Sequence, residues 1–260
     1  MAQPVLARPA ELGPDVRVVS LVPSATETLL AWGVVPVAVT RFCEHPELPP
    51  VGGTKDPDID AIVALAPDLV VMCREENRRQ DADALQAKGV AVHDIVPETV
   101  AEVEPALGSL AAALGFEHPP VPYGPVPAAE PLGLSAFVPI WRRPWMSMGG
   151  ATYGSSVLNA IGVSNVFAGA WPGAELTDAE RYPEVSLPEA AERRPDVVLL
   201  PSEPYPFKPR HHAELEAVAP VVPVDGQDLF WWGVRTPAAL SRLRAAIGSA
   251  AGAAAGKMSP

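Results

Sequence analysis

Cysteine is scarce in this chain: 260 residues hold two, Cys43 and Cys73. So few exclude a disulfide framework. Both sit where a predicted strand ends, and they read as two unpaired thiols in a reducing compartment. Clustered positive charge is lacking as well. Nineteen Lys and Arg stand against thirty-one Asp and Glu, a formal net charge of −12, and that excludes nucleic acid, whose phosphates demand clustered cations. No uninterrupted apolar run approaches the roughly 18 to 20 residues needed to span a bilayer, so no membrane insertion is expected. The first sixteen residues, MAQPVLARPAELGPDV, carry three Pro and two acids and no apolar core of a signal peptide. The expectation is a cytoplasmic chain, or an extracytoplasmic one if an export signal has been removed.

Catalytic signatures are also missing. Gly154-Ser155-Ser156-Val157-Leu158 fails the nucleophile elbow at its last position. Val51-Gly52-Gly53-Thr54-Lys55 has the wrong spacing for a P-loop, and no G-x-G-x-x-G follows a strand.

What is present is an alternation. Hydrophobic content of 48% and charged content of 19% suit a globular protein. Short Val-rich runs predict strands over 17–21, 35–40, 68–72, 90–96, 136–141, 196–200 and 221–225. Helical patterns predict helices over 24–32, 59–66, 81–88, 99–114, 152–161, 187–193, 213–218 and 237–247. Continuous apolar strands separated by helices imply parallel sheets covered on both faces, and the class is α/β.

The pattern also repeats. Ala66-Pro67-Asp68-Leu69-Val70-Val71 is echoed by Arg194-Pro195-Asp196-Val197-Val198-Leu199 at an offset of 196 − 68 = 128. Leu29-Leu30-Ala31-Trp32-Gly33 is echoed by Leu158-Asn159-Ala160-Ile161-Gly162 at 162 − 33 = 129. Between the copies, residues 116–134 hold six prolines and two glycines, a semi-rigid connector. The expected division is an extension over 1–15, an α/β lobe over 16–115, a linker over 116–134, a second α/β lobe over 135–250 and a tail over 251–260. In open α/β sheets ligands lie outside the carboxyl ends of the strands, so those loops should face a cleft between the lobes.

The strand-end loops carry suitable residue types. Ser24 reads as an N-cap with Glu27 completing a capping box, and Thr26 lies beside it at a helix start that could receive an anionic group. Arg41 and Phe42 precede Cys43-Glu44-His45. Three consecutive candidate ligands rarely converge on one ion, so no dedicated metal site is expected; His45 remains eligible as one axial ligand to a metal already chelated by a cofactor. Cys73, Arg74, Glu75 and Glu76 end the strand over 68–72, and Glu203 stands at the matching place in the repeat (75 + 128 = 203). Aromatics gather in the second half: Trp141 and Trp145 around Arg142, then Tyr153, Arg181 and Tyr182, then Tyr205 and Phe207, and finally Phe230, Trp231 and Trp232. Rigid rings interspersed with Arg suit a large planar or conjugated ligand.

Several of these stretches resemble one family. Arg17-Val18-Val19-Ser20-Leu21-Val22-Pro23-Ser24-Ala25-Thr26-Glu27 is similar to the opening of the substrate-binding proteins of cobalamin and ferric-siderophore ABC importers. Ile62 to Val71 resembles their next hallmark, and Arg181 to Leu187 followed by Arg194-Pro195-Asp196-Val197-Val198 fits their second lobe. The resemblance covers roughly residues 16 to 247, with the cobalamin-binding branch closest. It implies two α/β lobes of the class III periplasmic-binding-protein type joined by a long backbone helix, with a corrinoid or other metal chelate held between them as ligand and no cofactor required. It also implies importer membrane subunits as partners. The Pro-rich linker and Arg78-Arg79, where relatives dock through acidic residues, depart from that pattern. The alternative is a cytoplasmic biosynthetic enzyme on the same scaffold, with Glu75, Cys43 and His45 as its catalytic candidates.

Overall fold

The computed structural model describes residues 16–126, 130–169 and 177–257. The chain divides into two compact units. The first comprises residues up to 97, 101–124 and 232–234; the second comprises 98–100, 125–231 and 235 onward.

In the first unit, β1 (Val18–Ser20), α1 (Pro23–Ala31), β2 (Ala38–Val39), α2 (Ile59–Ala64), β3 (Leu69–Met72), α3 (Arg79–Ala87) and β4 (Val92–Asp94) alternate strictly. They are followed by α4 (Val100–Ala113). The sheet order is β2-β1-β3-β4, every pair parallel. Val19, Leu21, Ala38, Ile62, Val70, Met72 and Leu85 form its core. Their near-complete burial explains why the strands read as unbroken apolar runs: each sheet face is covered. The helix following β4 ends at Ala113, and Gly115 takes a left-handed φ of 84°; residues 116–126 form no regular element.

In the second unit come β5 (Leu134–Phe137), β6 (Pro139–Trp141), β7 (Met146–Ser147), α5 (Tyr153–Ala160), β8 (Val163–Asn165), α6 (Asp178–Arg181) and α7 (Leu187–Glu192). After these come β9 (Val197–Pro201), α8 (Pro209–Leu215), β10 (Val221–Val224), α9 (Gly226–Phe230) and α10 (Thr236–Lys257). The main sheet runs β10-β9-β5-β8, again parallel, and β6 and β7 make a separate antiparallel pair. Phe137, Phe167, Val198, Leu200 and Leu215 anchor its core, with the Phe137 and Phe167 ring centroids 5.6 Å apart.

The two sheets share one plan. Replacing β1, β2, β3 and β4 by β5, β8, β9 and β10 converts one strand order into the other. The repeated motif has the same local chemistry in both. Ala66 and Arg194 adopt left-handed φ values of 46° and 50°, and the Asp two residues later accepts a backbone N–H from the neighbouring strand. Arg17 donates to Asp68 Oδ2 at 2.9 Å, and Ser135 donates to Asp196 Oδ2 at 2.7 Å. The Ser135 hydroxyl and N–H hold the Asp196 carboxyl below the usual carboxylate range. Gly33 and Gly162, equivalent in the second motif, close α1 and α5 at φ of 77° and 75°, where glycine alone is unstrained.

Four expectations need correction. The strand predicted over 136–141 is two strands, because Pro139 has no N–H to extend the ladder and β6 turns to pair with β7. The helix predicted over 213–218 starts earlier, at Pro209, where a proline suits the first turn, and ends at Leu215. Helix α10 runs ten residues past 247, into the segment expected to be a tail, whose last residues, 258–260, lie outside the described residues. Finally, Ser24 does not cap α1: Val22 is the N-cap residue, Pro23 occupies the first turn, and no side-chain cap bond forms. Short β7, β8, α6 and α9 carried too little periodicity to be anticipated.

Candidate ligand-binding loops

Both sheets are parallel, so the loops after β1, β2, β3 and β4, and after β5, β8, β9 and β10, lie at the carboxyl ends of their own sheet. Those are the positions at which α/β sheets receive ligands.

In the first unit, the loop after β3 is built around Asn77. Its Oδ1 accepts the Cys73 N–H at 2.8 Å, and its Nδ2 donates to Leu21 O at 3.2 Å and Thr54 O at 2.9 Å. Lys55 Nζ donates to Glu75 O at 2.9 Å, and Arg74 N–H to Asp94 Oδ1 at 3.1 Å. Cys73 is buried, and burial followed by the Glu76 charge pushes its thiol well above the ordinary range. It is a structural thiol. Thr26 is buried as well, bonded to Ser20 Oγ and Val22 O, with Cys43 Sγ 3.3 Å away. Ser24 Oγ is buried without a hydrogen-bond partner. Arg41 makes a forked ion pair with Asp56 and places its guanidinium 5.0 Å from the exposed Phe42 ring. His45 Nδ1 meets Glu47 Oε1 at 2.9 Å.

The enzyme reading gains nothing from this geometry. Cys43 lies between the Thr26 and Thr40 hydroxyls, and His45 pairs within its own loop. Among the described residues, no three His, Cys, Asp or Glu side chains gather as a metal site.

In the second unit, an aromatic shelf forms from residues 141 to 207. Trp141 meets Tyr205 edge-on at 5.2 Å, Tyr205 lies 4.8 Å from Phe207, and Phe207 stacks on Trp145 at 6.0 Å with 9° between planes. Trp141 is 45% exposed. Arg142 lies 5.4 Å from the Trp145 ring and forms a forked ion pair with Glu214, which holds that carboxyl below its usual range. Sequence reasoning missed Glu214 and His211, which packs against the shelf: it is buried, its ring is 6.0 Å from both Tyr205 and Phe207, and its Nδ1 accepts the Lys208 N–H. The helical run Pro209–Leu215 concealed both.

A second group surrounds Trp231. Its Nε1 donates to Glu203 Oε1 at 2.7 Å, and Arg235 lies 5.4 Å from its ring. Asp228, buried, anchors Arg235 and Arg242 together. Phe230 packs beside Gly154. Arg181 pairs with Glu98 and donates to Ala151 O at 2.9 Å, and Tyr182 follows it, half-buried. Two expected loop residues serve packing instead: Tyr153 opens α5, buried, with its hydroxyl 2.8 Å from Thr236 Oγ1, and Trp232 is buried at 4% exposure.

Comparison with known proteins now bears on these two sheets. Residues 18–118 match the periplasmic binding protein family. The chain superposes on the periplasmic vitamin B12 binding protein BtuF of Vibrio cholerae with a TM-score of 0.69, covering 91% of this chain and 98% of that one at 22% identity. The fold is that of the periplasmic binding proteins. A periplasmic haem-binding protein, RhuT of Roseiflexus, shares the fold at TM-score 0.70 and 20% identity, over 91% of this chain and 99% of that one. In sequence, the chain is 26% identical to the vitamin B12-binding protein of Salmonella typhimurium over 215 residues, 75% of this chain and 76% of that protein. It is 27% identical to the corresponding protein of Vibrio parahaemolyticus, over 71% of this chain and 70% of that one. The resemblance drawn from the first-strand and Pro-Asp motifs holds. As to the membrane, no helix among the described residues is long and apolar enough to cross it.

Proposed function

We propose that this chain is a substrate-binding protein whose strand-end loops take a corrinoid, or failing that another metal chelate, as cargo. The observation that carries the reading is the aromatic shelf Trp141-Tyr205-Phe207-Trp145 in a chain whose curated relatives are vitamin B12-binding proteins. Rings held in place by one another offer contact area at low entropic cost to a conjugated macrocycle.

Charge favours the corrinoid within that class. Guanidiniums lie against rings at Arg41 on Phe42, Arg142 on Trp145 and Arg235 on Trp231. Arg41 and Arg142 are each paired with a carboxylate, Asp56 and Glu214, and Arg235 shares Asp228 with Arg242. Neutralised in this way, Arg41 and Arg142 suit a macrocycle with an amide-bearing, uncharged rim better than one carrying carboxylates. His45, with Nδ1 engaged by Glu47, keeps Nε2 as the nitrogen for a chelated metal.

Delivery to importer membrane subunits outside the cytoplasm completes this reading. Arg78 and Arg79, at the expected docking position, are paired with Asp81 and Asp83, so the start of α3 offers ion pairs instead of bare positive charge. Titration with cyanocobalamin tests the proposal: tryptophan fluorescence should quench saturably, and haem should compete weakly. Absence of any response to cobalamin, cobinamide, haem or a ferric siderophore would overturn it.

A further inference from the structure

The loops after β2 and β3 in the first unit contain little regular structure. Residues 40–57 form no helix and contribute only isolated bridges, and residues 73–78 form a turn. One buried side chain reaches the loops after β1, β2 and β3. Asn77 is 3% exposed, and its carboxamide uses all three available groups: Oδ1 on Cys73 N–H, one N–H on Leu21 O and the other on Thr54 O. Its own backbone N–H returns to Cys73 O at 2.7 Å, closing the turn on itself. Among the uncharged side chains, only a carboxamide supplies one acceptor and two divergent donors from a single planar group.

The second unit solves the same problem with the same chemistry at a place unrelated in sequence. Asn165, at the end of β8, donates to Met148 O at 2.7 Å and Ser155 Oγ at 2.8 Å and accepts the Phe167 N–H at 2.9 Å. Asn165 is 7% exposed. Thus β8, the 148–149 loop and the first turn of α5 are joined by one amide. In neither unit is the asparagine part of the repeated motifs, so the two clips are separate solutions to one requirement.

We propose that Asn77 is a positioning residue for ligand binding: its buried carboxamide holds the loops after β1, β2 and β3 in the arrangement that presents residues 54 and 74–76 to the ligand. The proposal rests on the reading of these loops as the ligand surface. Preorganisation of this kind raises affinity because the ordering cost is met before the ligand arrives.

The test is Asn77→Asp, which keeps shape and acceptor but loses both donors and sets a carboxylate against the Leu21 and Thr54 carbonyls. Asn77→Ser, smaller and uncharged, accompanies it in case the Asp variant fails to fold. Hydrogen exchange of the free protein should quicken tenfold or more at residues 73–76 while the β1 and β3 amides keep their protection. Cyanocobalamin affinity should fall about tenfold, and saturating cobalamin should restore the lost protection at 73–76. Uniformly faster exchange across the whole first unit, with affinity falling only in step, would make Asn77 a stability residue and overturn the proposal. So would wild-type exchange and affinity in both variants. If the unsubstituted protein does not bind cobalamin, the functional reading fails instead. The exchange arm then decides the clip alone: quickening confined to residues 73–76 upholds it, and wild-type exchange there overturns it.

Discussion

Trp141 and Trp232 show how differently one residue type is used here. Trp141 ends β6, 45% exposed and edge-on to Tyr205; Trp232 is buried at 4%. Replacing Trp141 by Ala should leave the thermal midpoint within a degree or two and weaken cobalamin binding about tenfold, because an exposed ring stabilises the bound state more than the fold. Trp232→Ala should do the reverse, costing roughly 3–5 kcal/mol of stability, read by denaturant unfolding. Equal effects of the two on affinity and on stability would contradict this division. Glycine offers a comparable contrast. Gly33 and Gly162 share a left-handed φ, but a Cβ on Gly33 meets nothing within 4 Å, whereas one on Gly162 would lie 2.4 Å from Pro131 Cα. Alanine at 33 should therefore cost about 1–2 kcal/mol of backbone strain alone. At 162 the cost should be larger, because backbone must also shift.

At the scale of elements, α9 and α10 depend on a single carboxylate. Asp228 is buried in α9, and from α10 Arg242 binds it twice while Arg235 approaches within 3.4 Å. Removing one partner of a buried pair leaves the other uncompensated. Asp228→Ala should cost about 3 kcal/mol and, by releasing Arg235 from Trp231, alter the emission of that indole. A normal midpoint with unchanged fluorescence would refute this coupling. Apart from short β7 and β8, the strands were legible in sequence because continuous Val-rich runs are the direct signature of a sheet covered on both faces. The start of α8 was not, since Pro209 initiates it through a fixed φ, and the His211 bond to the Lys208 N–H that caps it is invisible to periodicity.

For the whole molecule, acid is the expected weakness. Burial holds His93 and His211 below the ordinary histidine value of 6.5. Around His211, Arg142, Arg210 and Lys208 oppose its charging and Glu214 favours it; beside His93, Asp94 favours it. With folded values below unfolded ones, the unfolded chain binds more protons in this window, so their contribution is full above 6.5 and is lost as pH falls through the folded values. Asp196 and Glu214, also lowered, act in the same direction at lower pH. The thermal midpoint should decline steadily on acidification below pH 6.5, and His211→Gln should blunt the first part of the decline. A midpoint flat from pH 7 to 5 would exclude that linkage.

Composition and pattern alone determined the α/β class and the duplicated plan, and the likeness to importer binding proteins rested on a resemblance of quoted motifs. The class and the plan follow from local terms: apolar runs, helix periodicity and a repeated Pro-Asp step. Which polar residues of these loops are paired, buried or exposed was decided only by the tertiary structure. Arg41 and Arg142 acquire their carboxylate partners Asp56 and Glu214 across 15 and 72 residues of chain, Tyr153 and Trp232 are drawn into packing, and Asn77 reaches 56 residues back to Leu21. Hydrogen bonds and ion pairs act over a few ångströms of space whatever the separation in sequence, so no reading of neighbours along the chain can assign them.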